Sequence, residues 1–333
     1  MSLPPDPAGS GPLPPGLLPP GAGGPDLPAL LSPLQDLAEL PGEPDPRIRR
    51  AGVRLLLKRD DLIDPDLPGN KWRKLLPSVR AARAAGYDTL LTFGGAYSNH
   101  LRATAAAGAR FGLRTVGVVR GDELRDRPLN PSLARAAAWG MELDFLDRGR
   151  WRRRATPCVL DELRERHGRA YVVPEGGSNA LGVRGCRAIT EEINAHPRAA
   201  VDPVDVIVCS VGTGGMLAGI AAGLRPGQRA LGFSAVRPAR APHAAGGLDA
   251  DTAALQRLAF GARRGFWRVE HRYHFGGYGR TTAELRGFAA RVADTHGLDL
   301  DPVYEAKAFY GLLDLIGAGA FPRGTTLAFV VAG

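Results

Sequence analysis

The feature that most constrains this chain is the order of its apolar runs. Short runs alternate with longer amphipathic stretches, and glycines crowd the breaks between them. Val53–Leu57, Thr89–Phe93, Thr115–Arg120, Ala170–Val173, Asp205–Cys209, Arg229–Ser234 and Thr326–Val331 read as strands. Lys71–Ala85, Asn99–Phe111, Asn130–Trp139, Gly185–Ala195, Met216–Gly223, Thr282–His296 and Ala306–Ile316 read as helices. A strand-then-helix order of this kind implies an α/β architecture built on parallel sheets. In such sheets ligands sit at the carboxyl ends of strands, where loops run into helix N-termini. The search for chemistry therefore starts at those turns.

Length and composition narrow the class. The 333 residues exceed the roughly 100–200 typical of one domain, so two domains are expected. Residues 1–28 are dominated by Pro and Gly with almost no charge, and such a segment cannot bury enough apolar surface to offset its ordering entropy, so disorder is expected there. No apolar run approaches the ~20 residues needed to cross a bilayer. The start lacks a basic segment followed by an apolar one, so a cytoplasmic protein with no membrane partner is expected. Cys158, Cys186 and Cys209 are far apart and show neither CxxC nor Cys/His ligand spacing. They argue against a disulfide framework and a metal site, and read as buried small hydrophobes. The net charge of +9 raises nucleic acid as a partner, but the basic residues are spread along the chain and are nearly all arginine. The densest run, Arg150–Arg154 around Trp151, has no aromatic ladder beside it, and no nucleic-acid partner is expected. Lysines, by contrast, are scarce: Lys58, Lys71, Lys74 and Lys307.

Three turns carry candidate chemistry. In Gly69-Asn70-Lys71-Trp72-Arg73-Lys74, glycine and asparagine suit a turn and helix cap. Lys71 then falls in the first helical turn, where the positive end of the helix dipole disfavours an ammonium. A lowered pKa is what an amine needs to attack a carbonyl. Lys74 lies three residues on, on the same face. Taken alone, the pair also reads as two exposed helix lysines. In the second turn, Thr92-Phe93-Gly94-Gly95-Ala96-Tyr97-Ser98-Asn99-His100, a strand enters a Gly-Gly turn and a helix opens at Ser98 or Asn99. Exposed amides there suit a carboxylate, and plain helix capping is the competing reading. In the third, Asp205–Val211 runs into Gly212-Thr213-Gly214-Gly215-Met216, where backbone N–H groups can close around a phosphate. It is neither a dinucleotide fingerprint, since Leu217 stands where a glycine is needed, nor a Walker A loop.

With these turns in view, five ordered motifs become recognisable: KRDDL…GNKWRKL, FGGAYSNH, PEGGSNALG, SVGTGGMLAG and DPVYEAKAFYGL. Together, from about Arg54 onward, they resemble the 1-aminocyclopropane-1-carboxylate (ACC) deaminase and D-cysteine desulfhydrase family. The resemblance implies the tryptophan-synthase-β-like fold of pyridoxal 5′-phosphate (PLP) enzymes, fold type II, with two three-layer α/β/α domains containing parallel sheets. It implies a large cofactor domain from residues 29–76 and 171–333 and a small α/β domain from 77–170. By the same resemblance Lys71 holds the cofactor as a Schiff base and Lys74 contacts its phosphate. Asn99 bonds the 3′ oxygen, and Gly212, Thr213, Gly214 and Gly215 cradle the phosphate. Glu305 faces the pyridine nitrogen, and Ser98, Tyr278 and Tyr304 are catalytic. Ser98, Asn99 and His100 bind the substrate, and a homodimer is expected.

The family's chemistry turns a small amino acid into a 2-oxo acid and ammonia. D-Cysteine gives pyruvate and sulfide by β-elimination, whereas ACC gives 2-oxobutanoate by ring opening. The motifs are mixed. His100 follows the desulfhydrase pattern, and Tyr304-Glu305 follows the deaminase. Met216 stands where a hydroxyl residue closes the phosphate loop, and the chain ends at Val331-Ala332-Gly333 where the family continues through a Gly-Gly turn. β-Elimination asks only for a leaving group on Cβ and is the preferred expectation. ACC deamination is the first alternative, and a PLP-binding protein with little catalysis the second.

Overall fold

In a computed structural model of the chain, residues 31–67, 69–237 and 247–333 are described; the expected disordered leader at 1–28 lies outside them. The chain runs β1 (Leu34–Asp36), α1 (Pro46–Ala51), β2 (Arg54–Arg59), α2 (Gly69–Ala84), β3 (Thr89–Gly94), α3 (Asn99–Phe111), β4 (Arg114–Arg120), α4 (Pro131–Ala138), β5 (Met141–Leu146), α5 (Arg148–Arg152), α6 (Pro157–His167) and β6 (Tyr171–Val173). It continues through α7 (Ala180–Ala195), α8 (Pro197–Val201), β7 (Val206–Val211), α9 (Gly215–Ala222), β8 (Arg229–Ser234), α10 (Gly247–Phe260), β9 (Phe266–Glu270), α11 (Ala283–His296), α12 (Glu305–Gly317) and β10 (Thr326–Val331). Two compact units result, a smaller one from Leu75–Asn179 and a larger one from Leu31–Lys74 with Ala180–Gly333. The break falls inside α2, just after Lys74.

The larger unit is a six-stranded sheet in the order β1-β2-β10-β7-β8-β9. Only β1 is antiparallel, pairing Leu34 with Lys58; the rest are parallel, with Leu327 opposite both Leu55 and Val206. Because strand side chains alternate faces, Leu55, Leu57, Leu327, Phe329 and Val331 pack with Ile48, Phe288, Phe309 and Leu312 of α1, α11 and α12. Leu56, Ile207, Cys209, Ala328 and Val330 pack on the other face with Ile189, Ile193, Leu217 and Ile220 of α7 and α9. Burial on both faces is why these strands read as unbroken apolar runs.

The smaller unit is a parallel four-stranded sheet in the order β5-β4-β3-β6. Leu91, Phe93, Val116 and Val118 pack with Trp151, Val159 and Leu163 on one face. Val119, Met141 and Phe145 pack with Leu101, Ala105, Leu133 and Ala136 of α3 and α4 on the other. The expected boundary at 170 falls earlier than the observed one. Val172 of β6 pairs with Leu91 of β3, so the strand belongs to this sheet and the unit reaches Asn179.

Cys186 and Cys209 are buried as expected, but Cys158 is exposed. It lies on α6, whose inward residues are Val159 and Leu163, so the thiol falls on the outer face. In the Arg150–Arg154 run Trp151 turns inward, and Arg154 stacks on it at 4.8 Å while pairing with Glu175 at 2.6 Å; Trp151 and Arg152 also line a small concavity with Arg120 and Arg148. Among the described residues no helix is long and apolar enough to cross a membrane.

Candidate active site

In the larger unit the candidate groups gather at the carboxyl ends of three adjacent parallel strands, β2, β10 and β7. The lysine turn follows β2. Gly69, with φ +32°, opens α2 where an added Cβ would lie 2.5 Å from Ala332 O and 2.8 Å from Asp60 Cβ, so only glycine lets the helix start against the end of β10. Lys71 follows in the first turn. Burial, and next the like charge of Lys74, bring its amine down to about 7 against the pull of Cys186, Asp301 and Glu305. An amine with that pKa is substantially neutral at neutral pH. Lys74 is 4% exposed; burial lowers its pKa too, and the thiols of Cys186 and Cys209 act on it. A buried ammonium is stabilised by an anion brought close to it.

The glycine loop follows β7. Gly214 caps α9 with φ +86°, and a Cβ there would lie 2.3 Å from Thr252 Oγ1. A Cβ on Gly212 would lie 2.9 Å from Tyr304 Cε1. The Tyr304 ring therefore lies against the loop, and Tyr278 packs edge-on to it with centroids 5.9 Å apart. Met216, where a hydroxyl was expected by family pattern, is buried in the apolar cluster under the sheet, as its position in the first turn of α9 dictates.

Glu305 begins α12 and is 2% exposed. Its Oε1 accepts hydrogen bonds from the backbone N–H groups of Ala332 and Gly333, and its Oε2 accepts from Asp301 N at 3.4 Å. Burial, reinforced by Asp301, pushes its carboxyl up to about 8, although those amides pull the other way. Ala332 thus touches both the glutamate, through its N–H, and the lysine turn, through its carbonyl.

The serine turn is in the smaller unit, at the carboxyl end of β3. Ser98 is the N-cap of α3, its Oγ accepting from Leu101 N at 3.4 Å. Ser98 N donates to Gly95 O (3.0 Å), and Asn130 Nδ2 donates to Ala96 O (3.1 Å), fixing the loop. Asn99 Oδ1 accepts from Arg102 Nη2 at 2.5 Å. His100, expected at the substrate, is 2% exposed. Its Nε2 is 2.9 Å from Thr92 Oγ1, which in turn donates to Val173 O at 2.8 Å. That geometry makes the imidazole an internal strut joining α3 to β3 and β6.

Residues not assigned from the sequence also belong to this architecture. Asp301 Oδ1 accepts from Val303 N (2.5 Å) and Tyr304 N (3.2 Å), shaping the approach to α12. Lys307, 1% exposed, donates to Gly277 O at 2.8 Å, next to Tyr278. Lys58, Asp60, Arg73 and Glu192 form a buried ionic network behind the lysine turn. One signal could have found part of this. In a chain whose surface cation is arginine, all four lysines sit in the larger unit, at the site or directly supporting it.

The residues of the larger unit fit PLP. A lysine of lowered pKa meets an aldehyde, a buried ammonium and a glycine loop without room for side chains meet a phosphate, and a buried carboxyl meets a pyridine nitrogen. Asn70 adds an open acceptor, since its buried Oδ1 has no hydrogen-bond partner among the described residues.

Comparison with known proteins agrees. The chain is 33% identical over 293 residues to D-cysteine desulfhydrase of Klebsiella pneumoniae, covering 85% of this chain and 87% of the relative. It is 30% identical over 297 residues to the ACC deaminase of Methylobacterium nodulans (84% and 87%). A mitochondrial bifunctional D-cysteine desulfhydrase/ACC deaminase of Arabidopsis thaliana is 32% identical over 292 residues (83% and 69%). The crystal structure of an ACC deaminase homologue superposes with a TM-score of 0.75 at 29% identity, covering 91% of this chain and 90% of that one. The family described as pyridoxal-phosphate dependent enzyme matches residues 32–333. With the lysine, the glycine loop and the buried glutamate already joined at three neighbouring strand ends, the match leaves one conclusion: the chain belongs to the pyridoxal-phosphate dependent enzymes, among relatives of the ACC deaminase and D-cysteine desulfhydrase type.

Proposed function

We propose that this enzyme converts D-cysteine and water to pyruvate, hydrogen sulfide and ammonia. In this reading Lys71 Nζ holds the cofactor aldehyde carbon, Lys74 and Gly212–Gly215 hold its phosphate, Glu305 its pyridine nitrogen and Asn99 its 3′ oxygen. The observation that carries the reading is the lowered pKa of Lys71, about 7, in a turn packed against both Asp60 and the end of β10. PLP, when bound, supplies an electron sink for the pair released at Cα. Lys71 Nζ, as a neutral amine, would be the base that takes the substrate's Cα proton. The C–H pair then forms the Cα=Cβ bond as the Cβ–S bond breaks, and hydrosulfide leaves with the sulfur pair. Hydrolysis of the resulting enamine gives the 2-oxo acid and ammonia.

Ser98 and the amides of the Gly94–Ser98 turn orient the substrate carboxylate. His100, held by Thr92, contributes by fixing that turn. Tyr304 contributes a phenolic group beside Gly212, and Tyr278, packed edge-on against it, contributes a second. Their edge-on pairing also favours the alternative substrate, ACC, whose ring opening needs proton transfer at carbons beyond Cα. Free thiols at Cys158, Cys186 and Cys209 suit a reducing compartment, and a cytoplasmic homodimer is part of the reading.

The purified holoenzyme is assayed with D-cysteine, L-cysteine, D-serine and ACC while its absorption spectrum is followed. Sulfide and pyruvate from D-cysteine are expected. 2-Oxobutanoate from ACC alone would replace the main reading with the alternative. A lysine-linked PLP band that no substrate perturbs would sink both in favour of a binding protein with little catalysis.

A further inference from the structure

Between the two lysines of the cofactor turn lies Arg73, whose side chain leaves the helix about 200° around the axis from that of Lys71. It is buried and engaged on two sides. Nε and Nη2 donate to Asp60 Oδ2 and Oδ1 at 2.6 and 2.8 Å, and Nη1 and Nη2 donate to Glu192 Oε1 and Oε2 at 2.6 and 2.8 Å. Lys58 Nζ, on β2, donates to Glu192 Oε2 and to Ser32 O, both at 2.6 Å, and lies 4.0 Å from Asp60 Oδ1. Ser32 Oγ closes the network on Asp60 Oδ1 at 2.5 Å. Burial raises the Glu192 carboxyl, yet Arg73 and Lys58 hold it below its ordinary value, so it stays ionised.

Two cations and two carboxylates therefore balance one another in the interior. A buried ion network is a poor way to gain stability, because well-packed apolar residues do as well or better. What it supplies is directional: two bidentate forks fix the rotation and height of the first turn of α2 against β2 and α7. It grips the side of the helix away from Lys71. Asp60 also abuts Gly69, the residue that lets the helix begin there. The charged and thiol groups acting on Lys71 are Lys74 on its own helix, Cys186 on α7, Asp301 before α12 and Glu305 on α12. An unbalanced charge in the network would join them.

We infer that Arg73 is a positioning residue: with Lys58, Asp60 and Glu192 it forms a charge-neutral clamp that holds Lys71 and Lys74 toward the cofactor without adding a net field at the amine. The inference rests on the assignment of Lys71 as the cofactor lysine.

The test uses holoenzymes of the wild type, Arg73→Lys and Glu192→Gln. Arg73→Lys keeps the charge balance but loses the forks, whereas Glu192→Gln keeps the shape but leaves one positive charge in excess. Three properties are measured: the rate of PLP loss after transfer to cofactor-free buffer, the pH midpoint of the lysine-linked PLP absorbance change, and the melting temperature. Arg73→Lys should lose PLP on the order of tenfold faster with an unchanged spectral midpoint. Glu192→Gln should shift that midpoint downward, because excess positive charge disfavours the protonated nitrogen. If Arg73→Lys fails to fold, the isosteric Glu192→Gln still decides. Variants that melt earlier but match the wild type in PLP loss and spectral midpoint would overturn the proposal, leaving a plain structural brace. A Lys71→Ala protein that keeps the lysine-linked band would instead overturn the assignment on which the proposal stands.

Discussion

Two turns of the same kind, each a parallel strand feeding a helix, carry most of the candidate chemistry, and they are built differently. The lysine turn begins at a glycine with no room for a methyl group, abuts the end of β10, and has four charges locked together behind it. The serine turn is held by backbone and amide contacts: Ser98 N to Gly95 O, Asn130 to Ala96 O, and a long cap bond from Leu101 N to Ser98 Oγ at 3.4 Å. In the proposed reading the first is an ionic seat for a cofactor that must stay attached through every turnover. The second would present amides on a lighter frame to a small anion that binds and leaves each cycle. The difference predicts where substitutions act, on cofactor retention in one turn and on substrate affinity in the other.

The largest effect should come from Lys71→Ala. It removes both the attachment point and the proposed base, and turnover should fall by at least about a thousandfold, with the lysine-linked absorption band lost. Assay and spectrum together check it. Next comes Gly69→Ala. The new methyl would meet Ala332 O at 2.5 Å and Asp60 Cβ at 2.8 Å in a left-handed backbone. A loss of roughly 3 kcal/mol in urea unfolding is expected, together with faster PLP release.

The ionisable groups of the larger unit give a pH test. Glu305 has a folded-state pKa pushed up to about 8 from an ordinary 4.5 by burial and Asp301. In the cofactor-free protein the folded state therefore binds more protons than the unfolded state between those values. The stabilisation is full below pH 4.5 and is lost as pH rises through 8. Chemical unfolding of cofactor-free protein across that window should show the decline, and Glu305→Gln should flatten it. Lys71 runs the other way: its amine is neutral above about 7, so the rate of PLP uptake should rise with pH and level off beyond that point. Uptake that peaks in acid would contradict its role as the attacking amine.

The central strands and the turns were legible in the sequence because their signals are local. Burial on both faces leaves an unbroken apolar run, and each candidate turn marks itself with glycine. Strand β5 was missed because Asp144 interrupts its apolar run. That carboxylate is buried among cations from elsewhere in the chain: Arg166 (2.5 Å) and His167 (2.9 Å) from α6, some twenty residues on, and Arg125 (3.5 Å) from the loop before α4. Edge strand β9 hid behind Arg268 and Glu270, which solvent tolerates on an edge. The ionic clamp could not be read at all. Asp60 and Arg73 are near in sequence, but Glu192 lies 119 residues beyond Arg73, and no local pattern announces a partner at that range. His100 shows a shorter version of the same problem: its Nε2 meets the Thr92 hydroxyl of the preceding strand, a contact that the helix-opening motif does not announce.

The smallest predicted effects belong to the serine turn and bear most directly on the contrast. Ser98→Ala removes a stretched cap bond and should cost about 1 kcal/mol or less, with the PLP band intact and KM raised. Gly95→Ala is the counterpart of Gly69→Ala. Its methyl would meet only Arg120 Nη2, at 3.9 Å, and the residue is not among those with positive φ. Stability should change by no more than about 0.5 kcal/mol, and fewer conformations in the unfolded chain even favour alanine. The methyl would nonetheless crowd the amides offered to a substrate carboxylate, so KM should rise several-fold while kcat and cofactor retention hold. If Gly95→Ala instead shed PLP as readily as Gly69→Ala, the two turns would be one mechanical element, and a division between a cofactor seat and a substrate clasp would have to be abandoned.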